Sequence, residues 1–147
     1  MRRFLKTNTT LVLLRLAFGW FFLYAGLTKV VNPEWTATGF LNNAQTFSGF
    51  YSWLASSNIL PIVDFLNEWG LTLIGATLIL GVFVRLSAYL GALLMILYYF
   101  PGLTFPHVGE HAYLVDEHII YALALLLLAS LHTAHHHFSI FGSRLKR

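Results

Sequence analysis

Lys29, Glu68, Asp116 and His118 are the residues of this chain whose types and positions suit chemistry. Each lies in or beside a long apolar run, where an ionised side chain is costly and points to pairing or to a ligand. A lysine there can hold an anion, and an aspartate or histidine can take and give protons near neutral pH. Arg15, Gly19, Phe22, Gly26 and Lys29 are spaced four, three, four and three apart, so they share one helix face. Two glycines on a charged face mark a place where another helix packs closely. Glu68, Gly75, Val82 and Arg85 fall close to a second such stripe. At about 1.5 Å of rise per residue, Lys29 lies roughly 21 Å along from Arg15, and Glu68 roughly 25 Å from Arg85. With both arginines at one membrane boundary, Lys29 and Glu68 reach a similar depth near the other. The spacing therefore predicts a Lys29–Glu68 ion pair, either as a lock between two helices or as part of a ligand site. Arg15 and Arg85 can also simply snorkel to lipid phosphates.

Aromatic side chains are abundant near these charges, Trp20, Phe21, Phe22, Tyr24, Trp69, Tyr98 and Tyr121 among them. Such rings suit the walls of a quinone pocket, and they also serve as packing and interfacial anchors. Arg15, Tyr24, Trp69 and Tyr121 are the candidate quinone contacts. Of the seven histidines, His107 and His111 flank Glu110 in the link before Asp116. Their order and spacing do not match the zinc-protease pattern, and no metal site is assigned. His132, His135, His136 and His137 form a second group near the end of the chain. No histidine on another span lies at their depth, so bis-histidine haem is not expected. The chain has no cysteine, which removes thiol intermediates and cysteine-held iron–sulfur clusters. Redox chemistry would then need a bound cofactor such as quinone or a partner subunit.

The elements that must position these residues are membrane spans. The chain is 57% hydrophobic and only 10% charged, against about 25% charged in soluble domains. Four apolar stretches approach the roughly 20 residues needed to cross a bilayer, at about 11–31, 61–84, 86–105 and 116–138. The first is too long for a signal peptide and is read as retained. Besides Arg15 and Lys29, the basic residues are Arg2, Arg3 and Lys6 at one end, Arg144, Lys146 and Arg147 at the other, and Arg85 in the link between spans two and three. An even number of spans puts them on one side, expected to be cytoplasmic with both termini. Basic residues so placed read as topology signals, not as a nucleic-acid surface. Residues 32–60 then form an outer loop. Asn32-Pro33-Glu34 looks like a helix start, and Phe40, Ala44, Phe47, Tyr51 and Leu54 recur at helical spacing. The expected fold is an all-α integral membrane four-helix bundle, one transmembrane domain over residues 1–147, with an extra interfacial helix in that loop.

The runs Leu14-Arg15-Leu16-Ala17-Phe18-Gly19 through Gly26-Leu27-Thr28-Lys29, Asn32-Pro33, Glu68-Trp69-Gly70 through Gly75, and Leu80-Gly81-Val82-Phe83-Val84-Arg85 resemble the DoxX/DoxD family of small four-helix membrane proteins. Asp116-Glu117-His118-Ile119-Ile120-Tyr121-Ala122 also fits. The resemblance implies a prokaryotic plasma (inner) membrane subunit linked to oxidoreductases, thiosulfate:quinone oxidoreduction being the activity named for it. The resulting expectation is a quinone-linked oxidoreductase subunit working with a partner redox subunit or a second copy. The competing readings are a non-catalytic anchor or assembly factor for a redox partner, and a small oligomeric transporter.

Overall fold

The computed structural model describes residues 2–131, with side chains from residue 7 onward. Its main elements are four apolar helices, α1 (Arg2–Val30), α4 (Leu60–Leu80), α5 (Val84–Tyr99) and α6 (Glu117–Ser130). Two short helices, α2 (Thr38–Asn42) and α3 (Ser48–Leu54), stand between α1 and α4. The stretches Thr7–Val30, Leu60–Leu80 and Val84–Gly102 are each long and apolar enough to cross a membrane, and α6 is a shorter apolar helix. The expected fourth span extended to residue 138. Its last part, with His132, His135, His136, His137 and the basic end, lies outside the described residues.

Large apolar side chains point outward along all four helices, including Leu13, Trp20, Leu73, Leu93 and Leu123. Water would not tolerate such a surface and lipid does, so the chain is a multi-pass membrane protein. The helices pack in a row, α1 on α4, α4 on α5 and α5 on α6. Phe22, Leu71, Leu78, Leu125 and Leu128 fill the centre.

The α1–α4 contact is made by glycines. A Cβ on Gly75 would sit 2.2 Å from the Leu23 backbone nitrogen, and one on Gly26 would sit 2.4 Å from the Thr72 nitrogen. Backbones approach this closely only where side chains are absent, the means by which membrane helices gain van der Waals contact. The charged, glycine-bearing stripe expected on α1 is thus the face that meets α4. Arg15 and Phe22 on it are fully buried.

The stripe expected on the second span does not hold. Gly81 closes α4 with φ 72°, and the Gly81 and Val82 amides both donate to the Thr77 carbonyl. A left-handed glycine of this kind is a strong helix stop. Helix α4 therefore ends at Leu80 and not at residue 84, and Arg85 lies exposed in the first turn of α5.

Residues 31–59 fold over one end of the bundle, hereafter the capped end. Asn32-Pro33-Glu34 makes a turn and no helix: the Asn32 carboxamide accepts from the Glu34 amide at 3.3 Å and its carbonyl from the Trp35 amide at 3.0 Å. The expected single helix is two, broken before α3 by Phe47 at φ 54°. Its buried face is Ala37, Leu41, Ala44 and Tyr51. Four bonds fasten the cap: the Ala37 amide to Asp64 at 2.8 Å, the Gln45 amide to the Pro101 carbonyl at 3.1 Å, Thr46 to the Leu103 carbonyl at 2.6 Å, and the Tyr51 hydroxyl to the Leu97 carbonyl at 2.7 Å. The link between α5 and α6 also sits at this end. It forms a small antiparallel sheet, β1 (Leu103–Thr104), β2 (His107–Val108) and β3 (Ala112–Tyr113), that the sequence did not announce.

Candidate functional site

Three side chains from three spans converge beneath the cap: Lys29 at the end of α1, Tyr98 at the end of α5 and His118 in the first turn of α6. They are shared by two cavities. One, of about 190 Å³, lies within the bundle and is closed by Phe21, Ala25, Leu71, Met95 and Tyr121. The other, of about 310 Å³, lies under the cap and is closed by Trp35, Thr36, Phe40, Leu41 and Asn67.

The ammonium of Lys29 stands 4.9 Å from the ring centre of Trp35 and 6.0 Å from that of Tyr98. These are cation–π distances. The expected Lys29–Glu68 ion pair is not formed at contact: the ion pairs seen within 4.0 Å are His111–Glu110 and His118–Asp116. The geometric reason is that Lys29 lies at the last turn of α1, where the chain folds back and brings Trp35 against it.

Asp116 and His118 form the second half of the site. Asp116 caps α6, one carboxylate oxygen accepting from the His118 amide at 3.0 Å and the Ile119 amide at 3.3 Å. Its other oxygen is 2.6 Å from Nδ1 of the His118 ring. An ionised carboxylate can only accept, so Nδ1 carries the proton and donates. In the neutral ring Nε2 is then the basic position. The Asp116 side chain is 7% exposed and that of His118 30%, so the acid is enclosed and the imidazole is its link to the cavities. The Tyr98 ring meets that of His118 edge-on at 6.4 Å, and its hydroxyl donates to the Asn67 carboxamide.

The two ends of the helix row, α1 and α6, meet through rings. Tyr121 lies 5.7 Å from Phe18 and 5.5 Å from Phe21, both edge-on. Along this seam runs a groove of about 270 Å³ lined by Leu14, Ala17, Phe18, Phe21 and Tyr121. Phe21 and Tyr121 also wall the inner cavity, so the apolar groove and the cavity holding the polar residues lie on either side of these two rings.

Of the eight expected site residues, Lys29, His118 and Tyr121 share the inner cavity, with Asp116 behind His118. Glu68 lines neither cavity. Arg15 is buried midway along α1, roughly 21 Å from Lys29 along the helix. Tyr24 and Trp69 are 61% and 44% exposed on the lipid-facing surface, because their positions lie off the buried faces of α1 and α4. Trp35 and Asn67 were not anticipated, and Tyr98 only as one aromatic among many. Asn67 did carry a signal, as an uncharged amide in an apolar span beside Glu68.

No curated protein and no solved structure matches the chain. The DoxX family model matches residues 10–102, from α1 through the turn that ends α5, and so covers Lys29, Trp35, Asn67 and Tyr98 while Asp116 and His118 lie beyond it. That match spans well over half of the chain, and the chain belongs to the DoxX family.

Proposed function

We propose that this chain is the membrane subunit of a quinone-linked oxidoreductase, with the quinone head held between Lys29, Tyr98 and His118 and its tail lying in the Phe18–Phe21–Tyr121 groove. The carrying observation is that the apolar groove shares Phe21 and Tyr121 with a cavity that Lys29, Tyr98 and His118 also line. A quinone needs both, an apolar route from the bilayer and hydrogen-bonding groups for its two oxygens. A quinone bound there would take two electrons from a donor of the sulfur-anion or partner-subunit class and two protons, giving the quinol.

The chain's own residues act as follows. Lys29, held over Trp35, offers N–H donors to a carbonyl oxygen and favours negative charge on it. His118 takes and gives a proton at Nε2 while Asp116 fixes the ring by the bond at Nδ1. Tyr98, tied to Asn67, presents a rigid edge between the two cavities. Phe21 and Tyr121 narrow the entrance and keep water from it. The donor side faces the capped end, which this reading places outside the cytoplasm.

The test is to purify the full chain in mild detergent, extract it and measure bound quinone. Stoichiometric quinone, lost in Lys29→Met and in Tyr121→Ala while the variants stay folded, is the expected result. Absence of quinone from freshly prepared membrane protein, together with no binding of added quinone, would remove the reading.

A further inference from the structure

His118 does not face the two cavities alone. A third space of about 420 Å³ opens on the capped end between the small sheet and the start of α6, and its walls include Glu110, His111, Asp116, Glu117 and His118. Its rim is in water: the side chains of His111 and Glu110 are 94% and 91% exposed. Glu117 lines both this groove and the inner cavity, as His118 does. One imidazole therefore separates a membrane chamber from an aqueous groove, with an enclosed carboxylate bonded to it at 2.6 Å. Toward the opposite end, among the described residues, the apolar side chains Leu78, Leu125 and Leu128 are fully buried.

We infer that the Asp116–His118 pair is the proton gate of the chamber, exchanging protons with water on the capped side through the groove bounded by Gly109, Glu110 and Ala112. The inference rests on the quinone reading for what the protons are used for, and on the cavities alone for the route. In quinone reduction the imidazolium of His118, protonated at both ring nitrogens, would give its Nε2 proton to a ring oxygen, and water in the groove would return a proton to Nε2 past Glu117 while Asp116 holds the Nδ1–H in place. The titratable and charged groups facing the imidazole are Asp116 and Glu117 from its own turn, Tyr121 one turn on, Lys29 from α1, Tyr98 from α5, and Glu110 and His111 across the groove. Among the described residues these groups all stand on the capped half.

The absence of cysteine makes the route testable without quinone. Single-cysteine variants Glu110→Cys, Glu117→Cys and His118→Cys of the full chain are treated in sealed membrane vesicles of both orientations with a membrane-impermeant charged methanethiosulfonate. Glu110→Cys identifies the capped face. The expected result is labelling of Glu117→Cys and His118→Cys from that same face and complete loss of labelling from the other. Adding Ala112→Trp, which fills the groove, should abolish labelling at 118 and spare it at 110. Labelling from the opposite face, or from neither face in both Glu117→Cys and His118→Cys, would overturn the route. Capped-side labelling in a protein that binds no quinone would uphold the route and sink the quinone reading instead.

Discussion

The Lys29 ammonium stands 4.9 Å from the centre of the Trp35 ring, so the cation that ends the first span is held by the turn that follows it. In an enclosed site such a contact is worth about 0.5–2 kcal/mol. Its consequence is orientation: the ammonium stays over the shared edge of the two cavities and does not swing into water or lipid headgroups. Trp35→Ala is expected to weaken binding of a quinone head roughly 2- to 30-fold. Trp35→Phe should recover part of the loss, since a smaller π-face remains. Titration of the purified variants with a short-tailed quinone measures both. Equal affinity in Trp35→Ala and the native chain would show that Lys29 is positioned by something else.

Gly75 and Gly70 lie on the same helix and predict opposite outcomes. A Cβ at Gly75 would press 2.2 Å from the Leu23 nitrogen and 2.7 Å from the Gly19 carbonyl, both backbone atoms that cannot turn aside. A Cβ at Gly70 meets nothing within 4 Å. Gly75→Ala should therefore force α1 from α4, at about 1–3 kcal/mol for an overpacked contact. Gly70→Ala should be neutral or slightly stabilising, because alanine favours the helix by roughly 1 kcal/mol. Thermal unfolding in detergent compares the two.

That α1–α4 contact was legible in the sequence, and the rest of the site was legible unevenly. The period of Arg15, Gly19, Phe22, Gly26 and Lys29 is a helix period, and one helix face is a local property that spacing alone determines. Asp116 and His118 were legible for the same reason, being two residues apart at a helix start. The Lys29–Glu68 pair was a statement about depth, and depth is only one coordinate. Azimuth and the path of the loop decide which groups touch, and the turn after Val30 put Trp35 in the place expected for Glu68. Arg85 was placed in the link between spans two and three and on the stripe of the second, because the run from Leu80 to Val84 is apolar and does not show that Gly81 and Phe83, both at positive φ, end α4 before it. Tyr24 and Trp69 were selected by residue type, which does not distinguish a ring facing lipid from one facing a cavity.

The seam between α1 and α6 offers a separate test of access. Phe21 and Tyr121 meet edge-on at 5.5 Å and wall both the groove and the inner cavity. Ala25 is half-buried one turn further on and also lines that cavity. Ala25→Phe, one turn below Lys29, should fill the entrance while leaving Lys29 and His118 themselves unchanged. Quinone binding should be slowed or lost while the melting temperature changes little. Unchanged binding rates would mean that ligand reaches the chamber from under the cap.

The cap carries a pH dependence of its own. Burial raises the phenol of Tyr51 above its ordinary range near 10. The folded state thus favours the neutral phenol, which donates to the Leu97 carbonyl at 2.7 Å. A raised folded value means that this stabilisation is complete below the unfolded phenol's value and is lost as pH rises through the folded one. Unfolding of the native chain should therefore become easier above about pH 10. Tyr51→Phe should start less stable by about 1 kcal/mol, the value of one hydrogen bond, and lose less of its stability over the same alkaline range. Parallel slopes for the two proteins would show that other groups govern alkaline unfolding.

Asp116 serves two purposes, and two substitutions separate them. Its carboxylate caps α6 through the His118 and Ile119 amides, and it bonds the His118 ring at Nδ1. Asparagine is an equally good N-cap, so Asp116→Asn should leave the melting temperature nearly unchanged, whereas Asp116→Ala should cost about 0.5–2 kcal/mol. Neither can carry a proton, and an amide does not hold the imidazole in one tautomer as a carboxylate does. Both variants should then lower quinol formation by a general acid–base factor of about 100 or more. His118→Gln should fall as far, and combining it with Asp116→Asn should add little, since the two residues act as one unit. Rates measured with the partner donor, set beside melting curves of the same preparations, decide the matter. Activity that tracks stability across the Asp116 pair would make the carboxylate a helix cap alone; activity lost equally in a stable Asp116→Asn would make it part of the proton path.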